Sequence, residues 1–255
     1  MSTLHRITLL CLSLLTAFGT TQSVNAMETE VALNQDVATM GGATPGDAPG
    51  FPITITRPGR YVLTSNLYPD FDKVGIEVNA YDVTIDFNGF ILHGGFQAYI
   101  GIYTRGFNTA MIMNGLIAGF QTLAIAGNDS WVVDNMRISA NVYGVKLGNY
   151  ARVQRSTFTL HQSYGLYCDD GCHVEGNVIS KNYEGVHINS GTVLGNTITS
   201  NKTFGIISNS TSASSVGFGN NTLWLNNLGG MGGSTAQVRG VALKQLQPNV
   251  CSPAC

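Results

Sequence analysis

The stretch "GIEVNAYDVTIDFNGFILHG", Gly75 to Gly94, reads as three short strands separated by turns. Ile76 and Val78 flank Glu77, Val83 and Ile85 flank Thr84, and Asn88-Gly89 precedes the apolar run Phe90 to Leu92. Apolar residues at every second position put one side of a strand inside and the other outside. No segment here is long enough at the helical period to form a helix.

The pattern recurs along the chain. A Gly-aliphatic pair opens a strand at Gly75-Ile76, Gly101-Ile102, Gly144-Val145, Gly165-Leu166, Gly185-Val186 and Gly205-Ile206, with Ala124-Ile125 filling the gap. A second marker keeps nearly the same period: Asn88, Asn114, Asn135, Ser156, Asn177, Asn196 and Asn221. A unit of about 20 residues with three short strands fits one coil of an all-β parallel solenoid. Stacked at about 4.8 Å, equivalent residues lie above one another, so aliphatics form interior columns and the Asn marker forms a hydrogen-bonded ladder. About seven coils are expected over residues 74–226. The alternating segment around "RPGR", within 51–73, reads as N-terminal cap strands, and the Gly-rich 227–255 as an irregular C-terminal cap. Residues 27–50, rich in Gly, Pro and acidic side chains, read as a flexible lead-in.

The first 26 residues read as a cleavable signal peptide: His5 and Arg6 precede the apolar run "ITLLCLSLLTAF", and "VNA" ends at Ala26. That run is too short for a membrane span, so no membrane insertion is expected, and the product is expected to be secreted or periplasmic. With 13 Lys+Arg against 15 Asp+Glu, a nucleic-acid partner is not expected, because phosphate binding needs a basic face. Only 11% of residues are charged, which suits turn-rich β architecture.

The "PGRYVLTSNL" opening, "VTIDFNGFIL" and the repeated Gly-Ile and Gly-Asn-x-Ile coils resemble the secreted bacterial right-handed parallel β-helix proteins of the pectate-lyase-like group. The resemblance covers residues 51–255. It implies a single right-handed β-helix domain and speaks weakly to activity, because this scaffold hosts lyases, hydrolases, epimerases and adhesins.

Within "GLYCDDGCHVEGN", Gly165 to Asn177, the repeat places Cys168 and Cys172 at inward positions on either side of the turn Asp169-Asp170-Gly171. Haem attachment asks for Cys-x-x-Cys-His, and this spacing is one residue longer. Zinc needs about four convergent ligands, and an outward His173 does not converge with inward cysteines. A local disulfide is therefore expected, with a second at Cys251 and Cys255, and no metal site.

Outward columns are where a ligand could rest. Two residues after the Gly marker the series runs Glu77, Tyr103, Ala126, Lys146, Tyr167, His187, Ile207, with Arg105, Asp169 and Asn189 in the column two further on. Tyr143, Tyr164 and Tyr183 are expected at its edge. Aromatic rings beside hydrogen-bonding tips suit a polysaccharide strand, so Tyr103, Arg105, Lys146, Tyr167, Asp169, His187 and Asn189 are the candidate binding residues. An ice-binding surface would show stacked Thr columns, and the outward columns are mixed, so ice binding is not expected.

Catalysis is left open. A lyase would take its base from Lys146, His187 or Tyr167 and a neutraliser from Arg105 or Arg152, with Ca2+ as the one ion such chemistry could call for. A hydrolase would need two carboxylates, from Asp169 or Asp170 with Glu175 or Glu184. The catalytic candidates are Lys146, His187 and Asp169. Binding without turnover is the first reading, a lyase or glycoside hydrolase the alternative, and a structural surface or adhesin module the third. Oligomeric state is not legible.

Overall fold

The computed structural model describes residues 30–106, 109–209, 215–229, 236–252 and 255. The expected signal peptide lies outside them.

Every coil contributes to three faces. The first is a sheet of nine parallel strands, from Ile53–Ile55 through Val74–Val78, Tyr143–Leu147, Tyr164–Cys168 and Glu184–Ile188 to Val238–Arg239. Ile53, Ile76, Ile102, Ile125, Val145, Leu166, Val186 and Ile206 align in one fully buried column. The Gly marker that precedes this column has a steric origin: a Cβ at Gly144 would lie 2.0 Å from the Gly165 carbonyl oxygen, and one at Gly185 2.2 Å from that of Gly205. The chain bends into this face so closely over the next coil that a side chain does not fit.

The second and third faces belong to a sixteen-stranded parallel sheet. Gly59–Leu63, Val83–Asp86, Arg152–Gln154, Cys172–Glu175 and Gly191–Leu194 lie on the second face. Ile91–His93, Thr157–Thr159, Val178–Ser180, Thr197–Thr199 and Thr222–Trp224 lie on the third. The long strands Ala110–Ala118 and Val132–Ser139 run through both.

The Asn marker turns out to be two columns. Asn88, Asn114 and Asn135 hold positive φ, and Arg155, Gly176, Gly195 and Asn220 continue that left-handed bend. The buried ladder is the next residue along: Met136 N–H donates to Ser156 Oγ, Ser156 N–H to Asn177 Oδ1, and Asn177, Asn196, Asn221 and Asn249 follow in the same way. The marker therefore slips by one residue between Asn135 and Ser156, because Asn satisfies both demands: it tolerates the left-handed bend and it hydrogen-bonds along the axis. A second ladder, at the corner between the third and first faces, runs Asn141, His161, Asn182, Asn201, Asn226 and Gln237.

Both ends differ from expectation. Strands Ile53–Ile55 and Gly59–Leu63 pair in parallel with the following coil and form a coil themselves. The cap lies earlier, in residues read as a flexible lead-in: strand Val31–Leu33 pairs in parallel with Gly59–Leu63, and helix Gln35–Met40 follows, its N-cap Asn34 accepting from Val37 N–H at 2.8 Å. Asp47 Oδ1 accepts from Thr54 N–H at 2.7 Å and Thr44 Oγ1 donates to Thr54 O at 2.6 Å. These side chains satisfy the free edge of the first face, which would otherwise template further strands. At the other end, Val238–Arg239, Leu243–Gln245 and Val250–Ser252 extend all three faces by one coil, so the described part of 227–255 is largely coil rather than loose cap.

Candidate functional site

The first face carries the candidate residues outward. Strand register aligns Thr54, Glu77, Tyr103, Ala126, Lys146, Tyr167, His187, Ile207 and Arg239 in one column, so Lys146, Tyr167 and His187 are axial neighbours as the repeat predicted. Beside them, Tyr143, Tyr164 and Glu184 form the next column. Glu184 stands where Tyr183 was expected; Tyr183 sits one residue earlier, at the corner, under the ammonium of Lys202 at 5.3 Å.

The rings make a continuous chain. Centroids of Tyr143 and Tyr164 are 5.2 Å apart, those of Tyr164 and Tyr167 5.6 Å, and those of Tyr167 and His187 5.0 Å, all tilted. Lys146 Nζ lies 5.4 Å from the Tyr167 centroid. Burial, reinforced by Tyr143, Tyr167 and Glu184, raises the Tyr164 pKa far above its usual value, so this hydroxyl stays protonated. Tyr167 is raised too, by burial and then by Asp169.

Polar groups bound the ring chain on both sides. Asn189 Nδ2 donates to Asp169 Oδ1 at 3.2 Å. A cleft of about 330 Å³ toward the N-terminal coils gathers Tyr103, Arg105, Asp129, Lys146 and Asp169. A second, of about 370 Å³, gathers Glu184, His187, Ser208, Asn209 and Arg239. The sequence reading missed Arg239, because the repeat markers stop before it; the alternation in "QVRG" was its only signal. A roomier cleft near Lys202, Leu225 and Leu228, about 450 Å³, is mainly apolar and holds none of these groups, so ligand chemistry points to the first face instead.

His187 is more enclosed than an outward position implies, its side chain 16% exposed, with Nδ1 3.2 Å from Glu184 Oε2 and Nε2 buried without a partner among the described residues. Arg105 is already paired with Glu77 at 3.0 Å. Other expectations are not met. Arg152 and Glu175 lie on the second face, where Glu175 meets His173 at 2.9 Å, so neither joins the first-face groups. Asp170 is turned to Ser190. The proposed carboxylate pairs with Glu175 therefore do not assemble.

The cysteines stand as the repeat placed them. Cys168 and Cys172 are buried, with Cα atoms 6.3 Å apart and sulfurs at bonding distance, closing the inner corner between the first and second faces. Cys251 and Cys255 are bonded likewise, with Cα atoms 5.4 Å apart. Among the described residues, no group of three or more His, Cys, Asp or Glu side chains converges as metal ligands would.

A family model described as "Right handed beta helix region" matches residues 61–223, more than half of the chain. No curated protein and no solved structure gave a significant match.

Proposed function

The chain belongs to the right-handed β-helix family, and on that premise we propose that it is an exported protein that binds a polysaccharide along its first face. One observation carries this reading: the unbroken run of rings from Tyr143 through Tyr164 and Tyr167 to His187, flanked by Lys146 and by two polar clefts. Sugar rings present CH surfaces that pack on aromatic faces and hydroxyls that need donors and acceptors nearby. A strand lying along the axis meets both across the coils from Tyr143 to His187. Glu184, His187 and Arg239 at one end and Tyr103, Arg105, Lys146, Asp169 and Asn189 at the other would supply the polar contacts.

Retention without cleavage is the first reading, since Glu175 and Asp170 are held elsewhere and the two carboxylates that share a cleft are engaged, Asp129 by Asn149 N–H at 2.7 Å and Asp169 by Asn189 at 3.2 Å. A lyase reading draws on His187, whose Nδ1 is held by Glu184 and whose Nε2 has no partner among the described residues, beside Arg239. A glycan array followed by incubation with each retained polymer tests both. Retention with intact polymer supports binding; unsaturated products that vanish in His187→Gln would replace it with the lyase; no retention on any glycan would end the proposal.

A further inference from the structure

The third face carries a second, chemically different surface. Its outward columns run Arg137, Thr157, Val178, Thr197, Thr222 and Ser139, Thr159, Ser180, Thr199, Trp224, in register from coil to coil. Three successive coils thus present the ranks Thr157/Thr159, Val178/Ser180 and Thr197/Thr199. Phe158, Ile179 and Ile198 point inward between them and are fully buried, which holds each rank on a flat, packed backing.

Three features single these ranks out. The hydroxyls of Thr157, Thr159, Ser180, Thr197 and Thr199 make no hydrogen bond to protein among the described residues, whereas those of Thr44, Thr122 and Thr203 are spent on backbone carbonyls. Threonine and valine are branched at Cβ, so each methyl and hydroxyl is held in few rotamers. No charged side chain stands in either column from Thr157 to Trp224; Arg137 bounds the patch on one side, the half-exposed Trp224 on the other, and the exposed Lys181 stands at the bend beside Ser180.

We infer that this patch binds the surface of crystalline water. Hydroxyls along a strand recur at about 6.6 Å and between coils at about 4.8 Å, which makes a two-dimensional grid of fixed donors and acceptors with methyls between them. The oxygens of a prism plane of hexagonal ice repeat along two perpendicular directions at similar spacings. Waters anchored in such a grid start in lattice positions and lose little further freedom on joining a crystal. Charge points the same way: an uncharged patch does not disturb water order through strong ion hydration, while the ionic residues of the first and second faces would. A dissolved glycan, by contrast, would gain little here, because the ranks offer no ring to stack on.

The full chain is tested for partition into a slowly growing ice front and for thermal hysteresis. The wild type is expected to enter the ice and to depress the freezing point below the melting point, and Thr157→Tyr/Thr197→Tyr to lose both while keeping its thermal transition. Lys146→Ala/Tyr167→Ala, altered on the first face, should keep both. A wild type excluded from ice overturns the inference, as does unchanged activity in the Thr variant. If the wild type is instead retained on an insoluble neutral glycan and only the Thr variant is released, the patch belongs to a crystalline polymer.

Discussion

Asn196 Oδ1 accepts two hydrogen bonds from Asn177 in the preceding coil, one from its backbone N–H at 2.9 Å and one from its side-chain Nδ2 at 3.0 Å. Asn196 Nδ2 in turn donates to Val174 O and to Asn221 Oδ1. Replacing Asn196 by Ala leaves a buried N–H and a buried carbonyl without partners. The expected cost is about 2–4 kcal/mol, read from denaturant unfolding. Asn135→Gly, at an exposed left-handed bend, loses only the hydrogen bond from its Nδ2 to Asn114 Oδ1 at 2.9 Å and should cost no more than about 1 kcal/mol. Equal effects at the two positions would refute the division of the marker into two columns.

His161 occupies an Asn position in the second ladder, where its Nδ1 accepts from Asn141 N–H at 3.3 Å and its Nε2 is buried. Burial lowers its pKa from 6.5 to about 4, only partly offset by backbone contacts with Asn141 and Ile138. A depressed histidine is neutral in the folded protein and charged in the unfolded chain between these values. Its contribution is therefore intact above pH 6.5 and falls as pH drops toward 4, by roughly 3 kcal/mol at most. His161→Asn restores the usual ladder residue and should flatten stability against pH across that window. A variant with the same slope as wild type would assign the effect to other groups.

For the glycan face, Lys146→Ala/Tyr167→Ala is expected to weaken retention at least tenfold, equivalent to about 1.4 kcal/mol, with the thermal transition little changed. Tyr164→Phe should behave almost as wild type, because its contribution is the ring. Retention that survives the double substitution would move the ligand off this face.

The Cys168–Cys172 bond closes a very short loop, so the chain-entropy account gives about 2 kcal/mol. Cys168→Ala/Cys172→Ala should lower stability by that order and leave the coil intact, since Leu147 and Ile188 hold the same column above and below. Mass spectrometry of the protein should find Cys168 paired with Cys172 and Cys251 with Cys255. Free thiols would contradict the pairing.

Much of this was legible because a solenoid writes its geometry into the period. The Gly marker records a backbone clash, so counting from it placed Lys146, Tyr167 and His187 on one column and both sulfurs inside. The Asn marker was less secure, since one residue type serves the bend and the ladder, and the ladder at Asn141 and Asn182 was masked by a histidine at position 161. The N-terminal cap was unreadable for a different reason: Thr44 and Asp47 act on the edge of Ile53–Ile55 through side-chain bonds that have no periodicity. The third face escaped notice because columns were counted only from glycine. "TFT", "VIS" and "TIT" follow the other marker, and counted from it the stacked threonines appear.

The arrangement of the ladders also fixes how the rod responds to force. Hydrogen bonds between coils lie along the long axis, so a pull from end to end is transmitted through each coil interface in turn and the weakest one yields first. In the ladder between the second and third faces, the weakest link is Gly115 N–H on the Met136 thioether at 3.2 Å in place of an amide oxygen, but there Ala110–Ala118 pairs with Val132–Ser139 at seven positions through both faces. A thioether is a weak acceptor. Stretched axially in a force spectrometer, the protein is expected to part first at the C-terminal coil, where Val238–Arg239 holds Ile206–Ser208 through two paired residues. Met136→Asn should leave the first rupture force unchanged, and a raised one would place the weak interface at the thioether.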